Sequence, residues 1–309
     1  MQKIVTIGGG TGHFQVLRGL KNYECEITSI VNVSDDGGSS GKLQDEYGIL
    51  PPGDARQCMV ALADENEAKL LRDLFSFRLK DGHNLGNLII TALASISGSS
   101  AQAIKDAGKL LRIKGRVIPV STDDVVLHGE TEDGRFLRGQ TEISYPKDKN
   151  TKIKNIFHVP EAYIYREAGD AIRNADKIVI CPGELYGSIL PNFIVKGMRE
   201  ALQESKATMI YICNLFTKEG SYGFKASDFV REIEKYAGVN IDYIIINTGK
   251  PSPDVLQKYL GENSTLVEDD LESDERVVRG NYVAEYPSME KTLLRHVPEK
   301  IAREIISLN

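Results

Sequence analysis

The sequence predicts an α/β fold: a doubly wound, mainly parallel sheet with helices on both faces. Three observations carry this expectation. Short β-rich runs alternate with helical stretches, most of the runs are continuously apolar rather than alternating, and the first of them ends in a glycine cluster that opens a helix. Continuous apolar runs belong to strands covered on both faces, which is the condition of a parallel sheet.

In chain order, Lys3-Ile4-Val5-Thr6-Ile7 reads as the first strand and Phe14 to Lys21 as an amphipathic helix. Glu26 to Val33 is the second strand. Ala55 to Lys80 has helical spacing through Val60, Leu62, Ala63, Leu70, Leu71, Leu74 and Phe75, and so does Leu85 to Ser97. Later strands are expected at Arg116–Val120, Lys177–Cys181, Thr208–Cys213 and Asp242–Asn247, with helices at Glu161–Asn174, Phe193–Gln203 and Ser227–Tyr236. One stretch breaks the rhythm. Val125 to Gly139 reads as two strands around Asp133-Gly134, because Asp-Gly supplies the positive φ values of a tight hairpin turn. The expected insert, near 123–145, is an antiparallel hairpin that extends to Ile143, sits at the edge of the parallel core and contributes no ligand contact. Pro146 to Lys154 is a lysine-rich connector. No repeat or long linker interrupts the chain, so residues 1–309 are expected to form a single domain.

Charge and composition exclude several classes. A net charge of −6 without a basic block argues against a nucleic-acid partner and against a polybasic membrane anchor. No apolar run approaches the roughly 18 residues that a membrane span needs, and the N-terminus has no signal-peptide pattern. Cys25, Cys58, Cys181 and Cys213 lie far apart without zinc spacing, as expected of small buried residues in a reducing compartment. A cytoplasmic protein without membrane insertion is expected. A homo-oligomer is compatible with the sequence but not specified by it.

Gly8-Gly9-Gly10-Thr11-Gly12 follows the first strand directly. Glycines there let a phosphate approach the backbone, where a helix N-terminus offers unpaired N–H groups and partial positive charge. The spacing is not the full dinucleotide fingerprint, since His13 stands where the third glycine would fall, and no Gly-Lys-Ser/Thr follows to make a P-loop. Asp35 and Asp36, in Ser34-Asp35-Asp36-Gly37-Gly38-Ser39-Ser40-Gly41, end the second strand on the same crevice. An acid there would accept ribose hydroxyls, or the pair would hold Mg²⁺ with a diphosphate. Arg56 in the first turn after Pro51-Pro52-Gly53-Asp54 opposes the helix dipole, which suggests an anionic partner: a ligand phosphate or the nearby acids. Asn87, in Gly82-His83-Asn84-Leu85-Gly86-Asn87, opens another helix, where Asn also serves as a simple cap. Pro182, Gly183, Ser188 and Asn192 lie in a second glycine-bearing loop after a buried strand, and Asn214 and Thr217 follow the next. His13, His83, His128, His158 and His296 form no zinc motif, and no nucleophile elbow appears.

Taken in order, Gly8 to Gly12, Asn32 to Gly41, Pro51 to Cys58, Gly86-Asn87-Leu88, Pro182-Gly183, Leu185-Tyr186, Ser188-Ile189 and Pro191-Asn192 resemble the gluconeogenesis factor family, the bacterial branch related to 2-phospho-L-lactate transferase. The resemblance covers nearly the whole chain and includes the hairpin. It implies a Rossmann-like core holding a nucleotide between the glycine loop and its neighbours. For the bacterial branch it implies UDP-sugar binding, notably UDP-N-acetylglucosamine, and a role in cell shape and envelope synthesis on gluconeogenic carbon sources. For the transferase branch it implies a guanosine diphosphate-linked donor, a deazaflavin acceptor and Mg²⁺, which falls on Asp35 and Asp36. Arg295-His296 matches a C-terminal Arg-His pair and places Arg295 near the ligand diphosphate. The chain departs at His13, where a hydrophobic residue is usual, at Gly183-Glu184 in place of Gly-Ser, at Asn214 to Ser221, and at Val297 in place of Asp. The expected function is therefore a nucleotide-binding regulatory protein without turnover. The alternative is a Mg²⁺-dependent transferase moving a phospholactyl-type group from a nucleotide diphosphate donor. A dehydrogenase ranks third, because no catalytic set accompanies Asp35.

Overall fold

The structure, a computed structural model, describes residues 1–65, 67–148, 151–287 and 292–309. β1 (Gln2–Gly8) alternates its aliphatic side chains between two cores, Ile4 into one and Val5 and Ile7 into the other, so it is buried on both faces. The chain continues through α1 (Gly10–Leu20), β2 (Cys25–Val31), α2 (Gly38–Tyr47), α3 (Gly53–Leu62), α4 (Lys69–Ser76), α5 (Leu85–Ser97), α6 (Ser100–Leu110) and β3 (Arg116–Pro119). An excursion follows in β4 (Val126–Thr131), β5 (Phe136–Arg138), α7 (Gln140–Ser144) and β6 (Ile153–Val159). The parallel rhythm resumes with α8 (Arg166–Arg173), β7 (Lys177–Ile180), α9 (Met198–Glu204), β8 (Thr208–Ile212), α10 (Ala226–Ala237), β9 (Tyr243–Asn247), α11 (Pro253–Gly261) and β10 (Val277–Gly280). An antiparallel pair, β11 (Val283–Pro287) and β12 (Thr292–His296), leads into α12 (Pro298–Ser307).

Seven parallel strands form the main sheet in the order β10-β9-β8-β7-β1-β2-β3. From β1 the chain steps outward through β2 to β3, then returns to lay β7, β8, β9 and β10 on the other side. β1 and β7 thus flank the topological switch point, where the loops leaving the two strands diverge and open a crevice at their carboxyl ends. One core packs against α8, α9 and α10, the other against α1, α3, α5, α6 and α12. Helix α12 lies on α1 so closely that a Cβ at Gly19 would meet the Pro298 carbonyl oxygen at 2.1 Å. The doubly wound parallel sheet is as expected, and no described helix is long and apolar enough to cross a membrane.

Four local expectations are corrected. The Ala55–Lys80 stretch is two helices, α3 and α4, because the chain turns extended at Ala63, which pairs with Ile113. The hairpin turns at Gly134 (φ +84°) as expected, but it does not extend the parallel sheet: β4 lies between β5 and β6 in a separate antiparallel sheet. Its continuation toward Ile143 is helix α7, entered through Gly139 at φ +92°. The end of the lysine-rich connector belongs to β6; residues 149 and 150 of that stretch lie outside those described. Cys58, Cys181 and Cys213 are buried, Cys25 is half-buried, and all four are free thiols.

Candidate functional site

The crevice at the switch point is lined from three directions. From β1 comes the N-terminus of α1, with Gly9 at the cap and Gly10 at φ +69°, a conformation that favours glycine. The Gly10 amide donates to Asp54 Oδ1 at 2.9 Å, and Thr11 and Gly12 line the open cavity beyond it. From β7 come Pro182 and Gly183. A Cβ on Gly12 would stand 1.9 Å from the Pro182 carbonyl oxygen, so the two loops touch only because residue 12 has no side chain. From β8 comes Asn214, whose Nδ2 donates to the Gly183 carbonyl while its Oδ1 accepts from Tyr211 Oη at 3.1 Å.

Beyond Gly183 the Glu184 carboxylate caps a single π-helical turn at Leu185–Ile189, accepting from the amides of Tyr186 and Gly187. It also accepts from Ser144 Oγ at 2.9 Å, and burial raises its pKa. Lys218 and Arg295 bring cationic side chains to the cavity, and the N-terminal end of the α1 dipole adds to them. Phe216 and Tyr259, stacked with centroids 3.9 Å apart and 11° between planes, also line it. The cavity of about 370 Å³ falls within the range of small-molecule sites. An anion with a flat aromatic end matches this lining.

The structure brings together Gly9, Gly10, Thr11, Gly12, Pro182, Gly183, Ser188, Asn214 and Arg295 around that cavity. Gly8 ends β1 beneath it. Asn192 is buried below, donating to the carbonyls of Ser188 and Ile189. Asp35, Arg56 and Asn87 do not line it. They form a second layer behind the glycine loop, in which Arg56 Nε donates to Asn87 Oδ1 at 2.9 Å and Arg56 Nη1 to the Phe75 carbonyl at 3.1 Å. Asn87 Nδ2 in turn donates to Ser39 Oγ at 3.2 Å, and Asn84 is the cap of α5. Burial, reinforced by the charge of Asp35, raises the Asp54 carboxyl, which braces Gly10. The departure at His13 has a physical reason. The ring is fully buried with Nε2 2.8 Å from Thr6 Oγ1 and 3.1 Å from Ser29 Oγ, and burial lowers its pKa to about 4.

Asp35 and Asp36 point apart. Asp35 Oδ1 accepts from its own turn, the Gly37 amide at 3.1 Å, whereas Asp36 Oδ1 accepts from Thr141 N and Oγ1 at 2.8 and 2.6 Å. The pair does not fit a shared Mg²⁺ site. Among the described residues, no group of three or more His, Cys, Asp and Glu side chains is placed to hold a metal ion. Sequence reasoning missed Gln140, Ser144, Tyr145, Phe216, Lys218, Tyr259 and His296, all of which line the cavity. The first three stand at the end of the insert that was expected to stay clear of the ligand. The aromatic pair joins Phe216 of the loop after β8 to Tyr259 of α11, two segments far apart in the chain.

Fold and crevice define a doubly wound α/β protein whose candidate site is a glycine-lined cleft at the switch point. A family profile described as 2-phospho-L-lactate transferase CofD matches residues 4–284. The chain belongs to the gluconeogenesis factor family, related to that transferase. It is 40% identical to the gluconeogenesis factor of Halalkalibacterium halodurans, over 99% of this chain and 96% of that one. To the gluconeogenesis factor of Bacillus subtilis it is 38% identical, over 99% and 98%. The crystal structure of a UPF0052 family member from Bacillus halodurans superposes with a TM-score of 0.93 at 39% identity, covering 99% of this chain and all of the other.

Proposed function

We propose that this protein binds a UDP-sugar, UDP-N-acetylglucosamine in the first instance, and acts as a regulator that couples gluconeogenic growth to cell shape and envelope synthesis. The observation that carries the reading is the pairing of the α1 N-terminus with Lys218 and Arg295 across one cavity. Helix-terminal amides and an Arg fork suit a diphosphate, and the Phe216–Tyr259 stack offers a face for a base. In this reading Gly9 to Gly12, Gly183, Ser188, Asn214 and Arg295 touch the ligand. Asp35, Arg56, Asn87 and Asn192 support the loops from behind, and residues 1–309 act as one domain.

Calorimetric titration with UDP-N-acetylglucosamine, a guanosine diphosphate-linked ligand and a nicotinamide dinucleotide tests this. Tight binding of the first alone is expected, and no binding of any would overturn it. Arg295→Ala is expected to weaken binding about ten-fold, or ~1.4 kcal/mol; unchanged affinity would remove Arg295 from the site. A second reading, group transfer from a nucleotide diphosphate donor, is favoured by the match to the transferase family. Release of UMP or UDP on incubation with the ligand and Mg²⁺ would establish turnover in place of pure binding. Because Asp35 and Asp36 diverge, Asp35→Asn is expected to give the same affinity change with EDTA as with Mg²⁺. A loss seen only with Mg²⁺ would reinstate a metal at this position.

A further inference from the structure

Helix α7 stands at the cleft although it comes from the insert, and two carboxylates from two different loops hold it there. At its start, Asp36, from the loop after β2, accepts from Thr141 N and Oγ1. At its end, Glu184, from the loop after β7, accepts from Ser144 Oγ. Between these clamps Ile143 is buried in the core that packs against α8, α9 and α10. The approach is as close as it can be. A Cβ on Gly187 would stand 2.3 Å from Ser144 Oγ, and one on Gly139 would stand 2.0 Å from Asp36 Oδ2. Asn32, itself buried, fixes the same turn by donating to the Gly187 carbonyl at 3.0 Å.

This holding has a directional consequence for one cleft-lining side chain. Gln140 Nε2 donates to Ser144 Oγ at 3.2 Å, and Ser144 Oγ donates onward to Glu184, so the relay fixes which way the Gln140 amide faces. Its Oε1 accepts no hydrogen bond among the described residues, and Gln140 lines the cavity. The sheet order decides which part of a ligand that oxygen meets. Phe216 follows β8 on one side of the switch point, whereas the start of α7, where Gln140 stands, is held by Asp36 from the loop after β2 on the other side. A ligand whose diphosphate lies on the α1 N-terminus and whose base lies on the Phe216–Tyr259 stack therefore extends its far end toward α7.

We infer that Gln140 is a specificity-determining residue that accepts a hydrogen bond from the group carried by the distal phosphate, a sugar hydroxyl or acetamido N–H, and that Asp36 and Glu184 are positioning residues that hold it there. The inference rests on the nucleotide-sugar reading above. A side chain that pairs with one polar group of a ligand separates ligands that carry the group from those that lack it, so the comparison of UDP with UDP-N-acetylglucosamine isolates its contribution.

The test is calorimetry of the full chain with each of these two ligands. Wild-type protein is expected to bind the sugar nucleotide more tightly than UDP. Gln140→Leu is expected to weaken UDP-N-acetylglucosamine roughly ten-fold while moving UDP less than two-fold. Asp36→Ala, which releases Thr141, is expected to give the same split, and Asp36→Asn, which retains an acceptor, to restore most of it. Gln140→Ala serves as a second truncation if the leucine variant does not fold. Equal loss for both ligands, or no loss for either, overturns the role of Gln140. Wild-type protein that binds neither ligand overturns the nucleotide reading itself and this inference with it.

Discussion

Gly12→Val is expected to abolish ligand binding and to cost about 2–4 kcal/mol of stability. The Cβ alone would lie 1.9 Å from the Pro182 carbonyl oxygen and 2.9 Å from Pro182 Cγ, well inside van der Waals contact with backbone that has nowhere to move. Relief requires α1 and the loop after β7 to part, and that parting dismantles the switch-point crevice. Gly10 provides the contrast. A Cβ there meets nothing within 4 Å, so Gly10→Ala carries only the backbone penalty of φ +69°, about 1–2 kcal/mol. Urea unfolding and calorimetry of both variants check this. Wild-type affinity in Gly12→Val would mean that the two loops are not held together as described.

His158→Leu is expected to stabilise the protein, and by more as the pH falls. His158 is buried in β6, neither ring nitrogen has a hydrogen-bond partner among the described residues, and burial lowers its pKa to about 4. The unfolded chain binds the proton from about pH 6.5 downward and the folded chain only near 4, so this residue's contribution is complete above 6.5 and is lost as the pH falls toward 4. Between pH 7.5 and 4.5 the variant should gain about 2–3 kcal/mol over the wild type. The wild-type profile alone would not reveal this. Asp54 and Glu184, raised by burial, act in the opposite sense, because the folded chain takes up their protons first as the pH falls. The difference between variant and wild type cancels those groups, and a difference independent of pH would sink the assignment.

The parallel sheet was legible because its strands are apolar on both faces, so Ile4 to Ile7, Ile178 to Cys181 and Ile210 to Cys213 advertise burial in one dimension. The glycine loop was legible for a similar reason, since glycine density reports close backbone approach. The insert was not. Ile153–Val159 is buried at Ile153, Ile156 and His158 and otherwise largely exposed, a pattern without a clean period of two. Residues 140–144 read as strand because they follow one, yet the turn into α7 is set by Gly139 and by an acceptor 105 positions earlier, Asp36. The aromatic wall was illegible for the same kind of reason: Phe216 and Tyr259 meet only after α11 has folded back on the loop that follows β8. Arg56 shows the reverse case. Its unfavourable place at a helix start suggested an anionic partner, whereas its hydrogen bonds go to the neutral oxygens of Asn87 and Phe75, behind the cleft rather than in it.

The packing of α12 on α1, with Arg295 and His296 carried on β12 just before it, ties competence for binding to the order of synthesis. The glycine loop leaves the ribosome well before Arg295, the cation that lines the same cleft. A nascent or prematurely terminated chain ending before residue 292 contains all seven strands of the main sheet, yet lacks one wall of its cleft and the helix that covers α1. Such a fragment offers ligand an incomplete surface and leaves the apolar side chains of α1 that α12 would cover open to solvent. Occupancy of the cleft would therefore discriminate chains that carry β12 and α12 from those that stop short of them, a form of proofreading that no single residue of the site performs by itself.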